Sequence, residues 1–343
     1  MLIRIRLILS LAVACLVAAV PGIARAQALD ATMMEAIREA DMTLAVTGFR
    51  LSTANAALCD RLEPGHGMQF HTLAQYAVDN RGLVATHFAF AGTLAVEGIV
   101  PGSPAERADI RADDSVVSVG GVRPDDALSK TASIDTLAKF VAAVAALPPA
   151  QPIPVELRRG GKRLSVIVYP VPACRTRYEL LIDGGLDARA YGDLVRITSG
   201  YYDRFGDELV AAAVAHELAH NILRHRERLD AMGADFGFAS GFGRNVGLFR
   251  QTELQADILS VHLLARAGYP ADLASRFWQH PVAKGMSGIF QSRSHPHWKD
   301  RLRVMQAEEA KIAAAGAVLP PAPFVAERDL PLTGEWKDLI PRD

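Results

Sequence analysis

Cysteine is scarce in this chain: Cys15, Cys59 and Cys174 are the only three in 343 residues. A fold stapled by many bridges is therefore excluded. Charge imbalance is equally slight. The formal net charge is −1, and no run of Lys and Arg forms a polybasic patch, so nothing points to nucleic acid or to anionic lipid. Past residue 26 no stretch holds 18 uninterrupted apolar residues. The mature chain is thus expected to carry no membrane span, with at most peripheral membrane contact. Half of the residues are hydrophobic and 22% are charged, which describes a globular chain rather than a disordered one. The length suggests two or three domains.

The one long apolar run stands at the start. Arg4 and Arg6 precede Leu7 to Val20, Pro21-Gly22 breaks the run, and Ala24-Arg25-Ala26 offers a small-x-small cleavage site. As a helix the run would span about 21 Å, short of a ~30 Å hydrocarbon core. Residues 1–26 therefore read as a secretory signal peptide. An uncleaved anchor and a lipoprotein signal using Cys15 are the alternatives, and Ala12-Val13-Ala14 is a poor match to the latter. Cleavage takes the formal charge from −1 to −4 and removes Cys15. Cys59 and Cys174 remain, and an even pair in an exported protein suggests one disulfide.

The richest chemistry lies in Ala215-His216-Glu217-Leu218-Ala219-His220. His216 and His220 are four apart, so on a helix both imidazoles leave one face and can reach a single tetrahedral Zn²⁺. Glu217 flanks that position and can take a proton from water. The run Leu209 to Ala215 is almost wholly apolar, so the helix is expected to be buried, starting near Asp207. A catalytic zinc needs a third protein ligand, for which Glu253 is the best candidate. Asp257, one turn on, can accept the free N–H of a ligand histidine. Gly268 and Pro270 end that helix. His225 and His262 each lie nine residues from a candidate ligand, about 180° around a helix, and read as non-ligands.

His216-Glu217-x-x-His220 followed by Glu253-x-x-x-Asp257 resembles the M48 family of zinc metallopeptidases. His295-Pro296 with Arg301, and Asp187-Ala188 through Ser199-Gly200, resemble two further segments of that family, although its second segment usually begins Asn-Ala. The likeness covers roughly residues 175–318. It implies an α+β, zincin-like fold: a mainly helical metallopeptidase domain with a small edge sheet and one Zn²⁺ per chain. It implies that His295 approaches the site, either stabilising the oxyanion or filling the fourth zinc position. It also implies that Leu194–Thr198 is an edge strand bordering the cleft.

Residues 80–171 resemble a mainly-β PDZ domain of exported bacterial proteases. The resemblance rests on Gly102-Ser103-Pro104-Ala105, on the strand around Val116-Val117-Ser118-Val119, and on Ile134–Leu147 as a groove helix. Ile153–Leu157 and Leu164–Val168 read as paired strands around Gly160-Gly161. The carboxylate-binding loop near Phe88–Gly92 is not a clean match. Such a domain binds extended peptides, often by their C-termini. Cys59 and Cys174 flank it, so a bridge between them would leave it looped out.

The resulting division is a signal peptide (1–26), an N-terminal segment of the catalytic domain (27–79), the PDZ-like insert (80–171), the metallopeptidase domain (172–318) and a Pro-rich tail (319–343). Residues 31–45 read as helix and Phe49–Leu58 as partly strand. The Gly- and Phe-rich stretch 231–249 reads as a mobile flap or as a core connector. The family likeness implies a periplasmic endopeptidase acting on unfolded or damaged envelope proteins. The rival reading is a chaperone-like or peptide-binding protein whose zinc site is latched shut.

Overall fold

The computed structural model describes residues 29–236, 243–270, 272–286, 294–316 and 318–342. The signal-peptide reading lies outside them. Helix α1 (Ala31–Ala54) comes first, capped by the Asp30 side chain, which accepts from Met33 N at 2.8 Å. It runs past residue 45 to Ala54, taking in the first part of the segment read above as partly strand. The cause is visible in its buried residues: Leu44, Thr47, Gly48, Leu51 and Ser52 recur at helical spacing. Gly48 lets Tyr178 lie across the helix, since a Cβ there would stand 2.5 Å from the ring.

After β1 (Leu62–Gly65) comes a five-stranded antiparallel sheet. Its strands are β2 (Met68–Thr72), β3 (Leu94–Ile99), β4 (Ser115–Val119), β5 (Ile153–Arg159) and β6 (Lys162–Val168), neighbours in that order. Helices α2 (Arg81–His87), α3 (Pro104–Arg107) and α4 (Asp135–Ala145) lie in its connections. Gly160 and Gly161, both at positive φ, make the two-residue turn between β5 and β6. Phe70, Val96, Val116, Phe140 and Val155 belong to a core of the sheet's own. The sheet takes in Met68–Thr72, ahead of residue 80. His71 is a buried strand residue there.

β7 (Val171–Cys174) then pairs antiparallel with β1, Leu62 opposite Cys174 and Gly65 opposite Val171. This pairing brings the two ends of the looped-out sequence together. Cys59 and Cys174 are disulfide-bonded, 115 residues apart, with Cα atoms 5.4 Å apart. A closed loop of this size contributes about 4–5 kcal/mol in the chain-entropy model. Denatured, unreduced mature protein is expected to show no free thiol, and peptide mapping should link Cys59 to Cys174. Two titratable thiols would overturn the bridge.

The rest of the chain is mainly helical. A three-stranded sheet is ordered β8 (Arg177–Leu181), β10 (Leu194–Thr198), β9 (Ala188–Ala190). β10 is therefore the central strand, parallel to β8 and antiparallel to β9. This corrects the edge-strand expectation. Val195 and Ile197 are fully buried, in keeping with a strand that has neighbours on both sides, and the outer strands are β8 and β9. Helices α5 (Gly200–Ile222), α6 (His225–Ala231), α7 (Arg244–Arg266), α8 (Leu273–Gln279), α9 (Pro281–Met286) and α10 (Trp298–Ala315) follow. Gly206, at φ 72°, kinks α5, so the stretch holding the histidines restarts at Asp207. Small residues Ala211–Ala213 and Ala215 share one buried core with Leu254, Ala256, Leu259 and Leu263 of α7.

Of the Gly- and Phe-rich stretch, 237–242 lie outside the described residues. Residues from Arg244 on are helical. Gly247 is used for close packing: a Cβ would meet Gly334 O at 2.9 Å. Phe324, Trp336 and Leu339 of the tail pack on the helical core. Among the described residues no helix is long and apolar enough to cross a membrane.

Where α1 meets the five-stranded sheet, two acids are buried together. Asp41 of α1 hydrogen-bonds Glu97 of β3, with Arg38, His71 and Tyr76 around them. Burial pushes Asp41 up to about 7 and Glu97 well above its ordinary range. Burial likewise pushes Glu63 up to about 8. Acids raised on folding stabilise the protein at low pH and lose that contribution as pH rises through the folded values. Buried His66 and His71 are pushed down to about 4 and about 3 and act oppositely, but only below their ordinary 6.5. Between about pH 6.5 and 8 the melting temperature is therefore expected to fall. Asp41→Asn should flatten that fall, and an unchanged slope in the variant would contradict the assignment.

Candidate metal centre

The histidine pair depends on α5 being helical and buried. Within it, His216 Nε2 and His220 Nε2 stand 3.1 Å apart. α7 packs alongside and brings Glu253 over both: its carboxylate oxygens lie 3.5 Å from His216 Nε2 and 3.7 Å from His220 Nε2. Donor atoms of these three residues lie within 4.8 Å of one another, and they could hold a metal ion. In a tetrahedral site with ~2.0–2.1 Å bonds, neighbouring donors sit about 3.3–3.4 Å apart. The histidine pair is close to that edge, and Glu253 turns a different oxygen toward each ring.

The other ring nitrogens are already engaged. His216 Nδ1 is 3.0 Å from Asp257 Oδ1 and donates there, so in the neutral ring Nε2 is the free nitrogen. His220 Nδ1 is 2.8 Å from His225 Nδ1, and His225 Nε2 is 3.2 Å from Gln255 Oε1. With His225 Nε2–H donating to Gln255, His225 Nδ1 accepts from His220, and His220 Nε2 is also a lone pair. With both rings neutral, the two Nε2 atoms and the carboxylate could hold a cation between them.

The field has the same sign. Burial pushes His216 down, but the Asp257 and Glu253 carboxylates outweigh it and hold the ring up at about 9. Burial also opposes ionisation of Glu253, yet His295 and Arg301 hold it well below the carboxylate range. His220 is pushed down to about 3 by burial and by the charge on His216. Glu217 is pushed up to about 7, first by burial and further by the Glu253 charge. It lines the same cleft of about 480 Å³ as the three donors.

Arg301 locks the acids in place. From α10 it reaches Asp257 with Nε and Nη2, both at 2.7 Å, and its Nη1 is 3.3 Å from Glu253 Oε2. Its guanidinium lies 4.0 Å from the centre of the Trp278 ring. His295 Nε2 is 3.6 Å from Glu253 Oε1, and its side chain is 40% exposed, against 12–15% for the three donors. It therefore stands beside the donor cluster, on the open side of the cleft.

His216, Glu217, His220, Glu253, Asp257 and His295 thus share one cleft. His262 is elsewhere, bonded to Glu308 at 3.1 Å. His225 is no ligand either, but the sequence reading missed its hold on His220. That reading carried α5 on past residue 222. Instead Arg224, in the left-handed region at φ 52°, reverses the chain and returns His225 to the helix it left. The β9 edge, with Ala188, Arg189 and Ala190, lines the cleft in the place expected for β10. Asn221 ties it down, accepting from Gly192 N at 2.8 Å.

These features define a half-buried cluster of three donors that could hold a metal ion, opening into a cleft with an acid and a strand edge. No protein-family model matches the chain. The mitochondrial metalloendopeptidase OMA1 of Schizosaccharomyces pombe is 26% identical over 122 residues, which make up 29% of this chain and 36% of that protein. The match therefore spans little more than a third of the relative. A solved HtrA-type protease, AlgW with decapeptide, matches over 32% of this chain and 30% of its own. It is 17% identical with a TM-score of 0.24, a likeness too small to carry weight.

Proposed function

We propose that this chain is an exported zinc-dependent endopeptidase of the M48 type, with a zincin-like catalytic half and a PDZ-like insert. One observation carries the reading: two imidazoles and a carboxylate bring donor atoms within 4.8 Å of one another beside a half-buried glutamate in a strand-edged cleft. His216, His220 and Glu253 hold the ion. When bound, Zn²⁺ supplies Lewis acidity toward the scissile carbonyl and lowers the pKa of water. Asp257 and His225 set the tautomers of the two histidines. Glu217 takes a proton from the attacking water and returns it to the leaving amine. The β9 edge pairs with substrate backbone. The insert recruits unfolded or damaged envelope proteins, and the periplasm is the compartment that suits a disulfide and a signal peptide.

The test is casein hydrolysis by the mature chain, expected to stop with a chelator and return with Zn²⁺. Hydrolysis that ignores the chelator, or none in the zinc-loaded protein, would reject the proposal. His295 stands outside the donor cluster, which favours an oxyanion role over a latch. His295→Ala is expected to lower activity ~10²–10³-fold with zinc retained. A rise in activity would instead mean that His295 holds the enzyme closed.

A further inference from the structure

Arg228 of α6 is buried, yet each hydrogen bond it makes among the described residues goes to a neutral acceptor. Its Nε donates to Leu330 O at 2.9 Å, and its Nη1 lies 3.5 Å from Leu223 O and 3.4 Å from Gln255 Oε1. Glu327 and Asp329 attract it only from a longer range. A guanidinium buried against neutral groups is held there at a cost. What it offers in return is direction, because Gln255 lies one step from the donor cluster.

A guanidinium donates and never accepts. The Gln255 atom beside Arg228 is therefore the amide oxygen. The same oxygen lies 3.2 Å from His225 Nε2, so that nitrogen carries a proton and donates. In the neutral ring His225 Nδ1 is then an acceptor, and it takes the proton of His220 Nδ1 at 2.8 Å. His220 Nε2 is left free to face the ion position. Without Arg228 the amide can turn its NH₂ to His225, and each proton along the row then moves to the other nitrogen of its ring. The C-terminal tail grips this row from outside. Besides Leu330, its Asp329 pairs with Arg224, and Leu332 packs with Leu229 and Leu248. Thr333 N and Gly334 N donate to Gln251 Oε1, one turn before Gln255, at 3.0 and 2.8 Å.

We propose that Arg228 is a positioning residue for the metal: held by the C-terminal tail, it fixes the Gln255 amide and, through His225, the tautomer in which His220 can bind zinc. The proposal rests on the zinc-binding part of the reading above and not on hydrolysis. It makes the tail, which touches none of the three donors through these contacts, part of the metal centre.

The test measures Zn²⁺ affinity of the full mature chain by competition with a chromophoric chelator. Arg228→Met is expected to weaken zinc ~10–100-fold, and Arg228→Lys, which still donates, should keep most of the affinity. Leu332→Asp, which detaches the tail at a distance from the row, should weaken zinc ~10-fold. The metal-free Met variant should melt no lower than the parent, since it removes a costly buried charge. Long-range proton–nitrogen spectra of isotope-labelled histidine supply a readout that needs no variant: the metal-free parent should carry its protons on His220 Nδ1 and His225 Nε2. Arg228→Met should give a mixture of tautomers. Unchanged zinc affinity in Arg228→Met or in Leu332→Asp, or a parent with the opposite tautomers, would overturn the proposal. A parent that binds zinc yet never hydrolyses casein would sink the hydrolase reading and leave this one standing. A parent that hydrolyses casein, with a Met variant that binds zinc as tightly, would do the reverse.

Discussion

Glu217→Gln is expected to lower hydrolysis by at least ~10²-fold while zinc content stays near one per chain. The substitution keeps size and helix preference but removes the basic oxygen. The surroundings explain why little else should change. Glu217 is not among the donors whose atoms converge at the ion position, and none of the hydrogen bonds that orient His216 or His220 involves it. Its environment favours the neutral form already, burial having pushed the carboxyl up to about 7, so a neutral amide costs little stability there. Parallel measurements of casein cleavage and of zinc by atomic absorption decide the matter. A fully active variant would exclude Glu217 as the base, and loss of zinc would mean that it supports the metal.

Replacing a donor should instead empty the site. His216→Ala, His220→Ala and Glu253→Ala are each expected to lose stoichiometric zinc and, with it, activity, because three protein donors are the minimum for such a centre. Outer residues act more gently. Asp257→Ala and His225→Ala should weaken zinc binding by ~10–100-fold, since each removes the partner that fixes a histidine tautomer. Asp257→Ala carries a second penalty. Arg301 is buried and bonds Asp257 through two nitrogens, so removing the acid strands a buried cation, a change that costs about 3–5 kcal/mol in comparable pairs. Competition with a chromophoric chelator gives the affinities, and thermal melts separate the stability loss. A Glu253→Ala protein that keeps tightly held zinc would move the third ligand elsewhere.

The order of these effects shows how far each link of the chain could be read in advance. A spacing of four on one buried helix is a local property, so His216, Glu217 and His220 were legible as a group, as was the pair Glu253 and Asp257 on its own helix. Paired strands around Gly160-Gly161 were legible for the same reason: turn chemistry and period-two burial are written in neighbouring residues. Expectations failed where a local pattern had two tertiary outcomes. Phe49–Leu58 holds β-formers, yet its buried positions recur at helical intervals because α1 packs beneath Tyr178. Leu194–Thr198 only partly alternates, and whether it lies at an edge depends on what pairs with it.

By itself the sequence determined the donor types, their spacing within each helix and the apolar faces. Tertiary structure alone decided that Glu253 reaches across to the histidines, that Arg301 binds both acids, and that β9 rather than β10 borders the cleft. It also decided that His225 turns back onto His220, through one left-handed residue that helical spacing does not foresee. The physical reason is one of range. Periodicity and capping act over a few residues and are set by backbone geometry, whereas these contacts join segments tens to hundreds of residues apart, and close packing of the whole chain selects which of them form.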